Sequence, residues 1–228
     1  MTAADADDTR SRLAVAWPLF GLRIRSERLV LQLPTDADLV GLLEVEKAGI
    51  HDPDEMPFGI GWTDAPSPAF ERGFMQHYWG QRASWTPESW EMNLMVLLDG
   101  RPIGAQSIHA KRFAVYRTVD TGSWLGRAWQ GRGLGKEMRE AVLGFAFDGL
   151  GAHYAESGAF VDNGPSNGVS RALGYEENGR MLMAPRGEPR DGIRWRMSAD
   201  IWRSRPRPSI AIEGLDACRD LFGAERSR

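Results

Sequence analysis

Lysine and cysteine are the residues this chain almost does without. Lysine stands only at positions 47, 111 and 136, and Cys218 is the single cysteine in 228 residues. One thiol cannot close a disulfide within the chain, and no Cys/His spacing follows a zinc-ligand pattern, so neither a disulfide framework nor a metal site is expected and a reducing compartment fits. Also missing is any run near the ~20 apolar residues that cross a bilayer. With an acidic, non-apolar start over residues 1–10, the expectation is a soluble, cytoplasmic protein with no membrane contact. An excess of positive charge is lacking as well: 28 Lys and Arg face 31 Asp and Glu, a formal net charge of −3. No global field draws the chain to nucleic acid, and any anion it binds must be held by a local device.

What is present suits a globular enzyme or binding module. Hydrophobic residues make up 42% of the chain and charged ones 26%, enough apolar surface for a core. The length suits one domain with additions, divided here into an extension over 1–20, a domain over 21–203 and a C-terminal extension over 204–228, read as one amphipathic helix carrying Ile212, Leu215, Leu221 and Phe222. Periodicity predicts strands at 29–33, 90–98, 103–110, 117–125, 152–160, 175–183 and 193–202, with Asp99-Gly100 as a hairpin turn. Helices are expected from Thr35 or Asp36, with Leu39, Leu42, Leu43 and Val45 on the apolar side, and over 68–82, 133–150 and 166–173. Hairpins first and βα pieces later describe an α+β, or mixed α/β, domain.

One segment carries chemistry: Trp124-Leu125-Gly126-Arg127-Ala128-Trp129-Gln130-Gly131-Arg132-Gly133-Leu134-Gly135-Lys136. Three alternating glycines between a strand and a helix leave backbone N–H groups unshielded beside the positive end of a helix dipole, which is a cradle for phosphate. The nucleotide P-loop needs four residues between its first glycine and Gly-Lys and then a hydroxyl residue; here there are three, and Glu137 follows. The dinucleotide fingerprint fails on spacing too, because Gly131, Gly133 and Gly135 are two apart. What remains is Gln-x-x-Gly-x-Gly.

That loop, the preceding Gly122-Ser123-Trp124-Leu125, and Asn163-Gly164-Pro165-Ser166 followed by Leu173-Gly174-Tyr175-Glu176 resemble the GNAT superfamily of acetyl-CoA-dependent N-acetyltransferases, and within it the RimJ/RimL-like ribosomal-protein N-terminal acetyltransferases. The resemblance is clear over 120–179 and extends to residue 28. It implies a twisted, mostly antiparallel sheet of about seven strands, flanked by helices and splayed to admit coenzyme A. It further implies that Trp124 and Leu125 meet the pantetheine arm, that Gln130, Gly131, Arg132, Gly133, Leu134, Gly135 and Lys136 hold the pyrophosphate of acetyl-CoA, and that Asn163 and Ser166 lie near the thioester.

Acyl transfer to an amine requires a neutral amine and a proton for the departing thiolate. Asp120, Glu156 or a water serves as the base. Ser166 is a candidate acid, unless it merely caps a helix; tyrosine at the family's usual place is excluded because Ser170 stands there. With no Ser-His-Asp constellation and Cys218 in the unmatched tail, direct attack in a ternary complex is expected, and His51, His77, His109 and His153 read as ordinary surface or core residues. The acceptor pocket is expected within 49–90, lined by Trp62, Trp85 and Trp90, to receive a small amine or a protein N-terminus. Transfer of a succinyl or other larger acyl group stays open, with Arg112 and Arg117 as available cations. A non-catalytic CoA-binding or interaction module, with a homodimer contact through the C-terminal segment, is the alternative from another class.

Overall fold

A computed structural model describes residues 3–224. Helix α1 (Ala3–Ala16) precedes strands β1 (Arg23–Arg25) and β2 (Leu29–Gln32), then helix α2 (Asp36–Lys47). Thr35 starts α2 with a capping box: its hydroxyl accepts from the Asp38 N–H at 3.2 Å, while the Asp38 carboxylate accepts from the Thr35 N–H at 2.8 Å. Arg10 ties α1 to this corner through the Leu33 carbonyl at 2.6 Å and an ion pair with Asp38. Helix α3 (Ala69–Ala83) leads to β3 (Ser89–Leu98) and β4 (Arg101–Lys111), joined at Asp99 and Gly100. Both turn residues have positive φ, 50° and 75°, the left-handed pair that a two-residue hairpin turn requires.

A short helix α4 (Phe113–Tyr116) separates β4 from β5 (Thr118–Leu125). Then come α5 (Leu134–Gly144), extended by one wide π-type turn over Phe145–Gly149, and β6 (Tyr154–Phe160). The chain continues through α6 (Gly164–Ala172), β7 (Glu176–Met183), β8 (Arg190–Ser198), α7 (Ala199–Ser204) and β9 (Ala211–Glu213). The described residues form one nine-stranded sheet in the order β7-β8-β6-β5-β4-β3-β2-β1-β9, antiparallel throughout except for β5 and β6. That parallel pair needs a crossover, and α5 supplies it.

α5 packs over one face of the sheet, burying Leu134, Met138, Ala141 and Val142 with Leu94, Val96, Ile108 and Val119. On the opposite face Leu39 and Leu42 of α2 and Phe74 and Tyr78 of α3 close over Met95 and Ala105. Side chains on a strand alternate between faces, so the register assigns each candidate residue to a side.

Three expectations change. The sheet has nine strands rather than seven, because β1 was hidden in the short alternation Arg23-Ile24-Arg25 and β9 lies in the tail. The tail is not one helix: after Pro208 it is β9, paired with β1 at Ile24↔Ile212, followed by two short 3-10 turns. The sequence 193–202 divides between β8 and α7, the break being Ser198, whose hydroxyl accepts from the Ile201 N–H and starts the helix.

Candidate active site

β5 and β6 pair only from Thr118↔Tyr154 to Thr121↔Ser157. Beyond that point β5 follows β4 as far as Gly104↔Leu125, while β6 follows β8 to Phe160↔Gly192. The strands part into a V, and along its inner edges, residues 122–125 and 158–160, β5 and β6 no longer pair with each other. Backbone polar groups seek partners wherever water is displaced, and an amide-bearing arm laid in the V supplies them.

The cradle sits at the end of β5. Gly131 and Gly133 have φ of 72° and 77°, a region costly for any side chain, and a Cβ on Gly131 would meet nothing within 4 Å, so the space in front of it is open. Gly133 begins α5 with no side-chain cap, leaving the first-turn N–H groups available to an anion. Gly135 lies against Leu125, and Leu134 is buried beneath the loop. Arg132 lies over the Trp129 ring at 5.2 Å, and half-exposed Lys136 is 3.9 Å from Glu140. These residues fit a diphosphate. Gln130 has a different part from the one expected: its side-chain N–H group donates to the carbonyls of Leu125 and Ile50, both at 2.8 Å, so it braces the loop.

Arg28 is a cradle residue that the sequence did not reveal, since it comes from the start of β2, more than a hundred positions away. Its side chain pairs with Glu137 at 2.6 Å and lies 3.7 Å from where a Gly133 Cβ would sit. Burial would raise the Glu137 pKa, but the Arg28 N–H, the Ser26 hydroxyl and the Arg28 side chain outweigh it and hold the carboxyl below its usual range. Arg28 is thus fixed beside the helix start as a further cation. Gly133→Val should therefore weaken coenzyme A binding at least tenfold in calorimetry. The added side chain meets only the tip of Arg28, but a φ of 77° strains any residue other than glycine, so a thermal melt accompanies the calorimetry; unchanged affinity in a folded variant would refute the cradle.

On the face covered by α2 and α3, the register brings His109, Asp120, Glu156 and Arg196 into one row across four strands. Glu156 is committed to Arg196, whose Nε donates to it at 2.7 Å. Asp120 has no side-chain hydrogen bond among the described residues. Burial raises its pKa; His109 lowers it, Glu156 raises it, and Arg194 and Arg139 lower it, with a net shift upward. The Asp120 carboxylate is thus left without a side-chain hydrogen bond, among the described residues, at the base of the V.

At the end of β6, Asn163 starts α6, and its Oδ1 accepts from the Ser166 N–H at 3.1 Å. The capping role belongs to Asn163, and the half-buried Ser166 hydroxyl has no partner among the described residues. Asn167 is buried and satisfied. It donates to the carbonyls of Phe160 and Val161 and accepts from the Trp195 indole at 3.0 Å, which fixes α6 against β6 and β8.

Beneath α5, Arg139 is 4% exposed yet has no carboxylate partner among the described residues. It donates to Ser157, at the last β5–β6 pair, at 3.0 Å and to Ser123, just beyond it on β5, at 3.3 Å, while its Nε has no partner among the described residues. The Gln106 carbonyl oxygen, on the strand beside Ser123, is also unpartnered. The Tyr175 hydroxyl feels Arg139 and Thr121 without a hydrogen bond of good geometry. A buried guanidinium costs several kcal/mol unless its donors are met.

The expected aromatic lining divides. Trp62 is half-buried between Phe58 at 5.1 Å and Phe70 at 6.2 Å, in the loop that begins at the cradle. Trp85 and Trp90 do not line the acceptor region. They stack on each other and against Phe222, and their indole N–H groups donate to the carbonyls of Leu221 and Phe222. Trp90 faces the α5 side, opposite the row of His109 and Asp120, because it pairs with buried Ala110 rather than with His109. Among the described residues no group of three or more His, Cys, Asp or Glu could hold a metal ion, and no helix is long and apolar enough to cross a membrane.

The model of the GNAT acetyltransferase domain matches residues 28–176, more than half the chain and the stretch that contains both V and cradle. The chain belongs to the GNAT acetyltransferase family. Solved structures of similar fold include RimJ of Mycobacterium smegmatis in complex with a CoA disulfide, at 18% identity and TM-score 0.65 over 87% of this chain and 91% of that one. RimL, the ribosomal L7/L12 alpha-N-protein acetyltransferase in complex with coenzyme A, aligns at 17% identity and TM-score 0.62, over 77% and 97%. A GNAT acetyltransferase from Bacillus anthracis aligns at 18% and 0.62, over 78% and 99%. The activity of this family member is acyl-CoA-dependent N-acetyl transfer to an amine, with acetyl-CoA as co-substrate.

Proposed function

We propose that the chain acetylates the primary amine of a small molecule or of a protein N-terminus, with Asp120 as general base. The carrying observation is that Asp120 is the unpaired member of the acid row, buried enough for its pKa to rise. Acetyl-CoA supplies the thioester that the amine attacks. Gly131, Gly133, Arg28, Arg132 and Lys136 hold the diphosphate end, and Gln130 keeps the loop in shape. Asp120 takes the proton of the attacking amine, directly or through a water. The Ser166 hydroxyl hydrogen-bonds the departing thiolate and passes it a proton drawn from water, so that the serine stays neutral and coenzyme A leaves as the thiol. Glu156 keeps Arg196 in place rather than acting as base. Cys218 takes no part: it is fully buried among apolar residues, and burial pushes its thiol up to about 12.

Thiol release from acetyl-CoA, followed against a panel of amines and short peptides, tests this reading. Turnover with a primary amine supports it, and coenzyme A binding with no turnover on any amine favours the non-catalytic module.

One observation favours a second reading of the acyl group. Arg139 is a buried cation with no carboxylate in salt-bridge contact among the described residues, bonded to Ser123 and Ser157 at the base of the V, and it suits the carboxylate of a dicarboxylic acyl thioester such as succinyl-CoA. Arg112 and Arg117, the cations considered from sequence, do not serve. They flank α4, lie over the rings of Tyr116 and Phe113, and sit at the paired end of β5, away from the opening. Arg139→Met should cut succinyl transfer at least tenfold relative to acetyl transfer in a direct competition assay. Equal losses for both donors would dismiss the second reading.

A further inference from the structure

We infer that Arg186 and Arg190 determine which acceptors the site admits, by holding residues 50–64 as a strap across the mouth of the V; the inference rests on the proposed function. At one end the strap is bound to the loop that follows β5: the Arg127 N–H donates to the Gly49 carbonyl at 3.0 Å, and Gln130 donates to the Ile50 carbonyl at 2.8 Å. At the other end it is bound to the chain around the end of β6 and the β7–β8 turn. Arg186 forms a two-pronged pair with Asp64, both contacts at 2.8 Å, and donates to the Pro53 carbonyl at 3.0 Å. Arg190 donates to the Met56 carbonyl at 2.7 Å and pairs with Asp162, while its guanidinium lies 4.0 Å from the centre of the Phe160 ring. The two anchorages are the tips of the two strands that diverge, so residues 50–64 span the opening between them.

The strap is built to stay closed. Met56 is buried, His51 holds Thr63 at 2.8 Å, and Phe58 packs between His51 and Trp62. Glycines at 59 and 61 let it pass close to the turn, for a Cβ there would stand 3.0 Å from the Met183 sulfur and 2.9 Å from the Pro185 carbonyl oxygen. Strap and α3 are continuous with the Asp120 side of the sheet, so an acceptor entering from that side passes beneath it. The strap therefore favours a slender amine, a small molecule or an extended peptide end, over a lysine set low on a folded surface. Since the near end of the strap is braced by Gln130 of the cradle loop, coenzyme A bound in the cradle also steadies the strap.

The test uses the full chain as wild type, Arg186→Gln, Arg190→Gln and the double variant. Coenzyme A affinity is measured by calorimetry, and amide hydrogen exchange over residues 53–63 is followed with and without coenzyme A. Acetylation of a short peptide is compared with that of surface lysines on a folded carrier protein by mass spectrometry. Expected are a coenzyme A Kd within threefold of wild type in every variant and protection of 53–63 by coenzyme A in wild type. That protection should fall at least tenfold in the double variant, with a rise in labelling of the folded carrier relative to the peptide. Exchange over 53–63 that ignores both coenzyme A and the substitutions, or carrier labelling already equal to peptide labelling in wild type, overturns the inference. Failure of coenzyme A to bind wild type would strike the proposed function instead, and calorimetry reads that separately.

Discussion

Asp120→Asn is expected to lower kcat by a factor of about 10² to 10⁴, the usual span for loss of a positioned base, with coenzyme A affinity unchanged. Asparagine keeps the size of the side chain and removes its ability to take a proton. Because burial, foremost, holds the Asp120 carboxyl above its ordinary range, the wild-type pH profile should fall on the acid side at a pH above that of a free carboxylate. In the variant that limb should vanish along with the rate. Glu156→Gln is the comparison: its carboxylate is occupied by Arg196, so kcat should hold far better than in Asp120→Asn, while the acid limb moves to lower pH because the charge that raises the Asp120 carboxyl is gone. Wild-type kcat retained by the Asp120→Asn enzyme would remove Asp120 from the mechanism and return the choice to Glu156 or water.

Glu46→Gln is expected to stabilise the protein above pH 8. Glu46 continues the buried stripe of α2 through Leu39 and Leu42, is 7% exposed, and has one carboxylate oxygen without a partner. Burial raises its pKa from 4.5 to about 8. A carboxyl whose folded pKa lies above its unfolded value binds its proton more tightly in the folded state. Its contribution to stability is therefore complete below about 4.5, declines as pH rises, and is fully lost above about 8. At 1.36 kcal/mol per unit the loss is on the order of 3–5 kcal/mol, or several degrees of Tm for a chain of this size. Thermal melts of both proteins between pH 5 and pH 9 check this. The curves should converge at low pH and part at high pH, and parallel curves would show that Glu46 reaches water.

What could be seen in advance follows from how local each signal is. The hairpin at Asp99-Gly100 and the stripe of α5 depend on neighbours within a few residues, and both stand where periodicity and turn chemistry put them. The glycine loop was legible for the same reason, since positive φ before a helix is met by glycine at two alternate positions, 131 and 133. Arg28 and the strap were not, because their partners lie more than a hundred positions away along the chain. Trp85 and Trp90 misled because an aromatic side chain looks alike to sequence whether it lines a cleft or fills a core. Only the return of Leu221 and Phe222 decides between these, and nothing near residue 90 announces it. Glu46 was overlooked because a carboxylate breaks the apolar count on α2 even though it occupies the same stripe.

The tail bears on how the polypeptide can be trimmed. The match to the family model ends at residue 176, the first residue of β7, ahead of β8 and the closing segment. A fragment cut there would strip β6 of its antiparallel neighbour β8, leave β1 without β9, and uncap the indoles of Trp85 and Trp90. Such a piece would offer a raw sheet margin and a bowl of unsheltered rings to every other copy in solution, and would clump before it could be assayed.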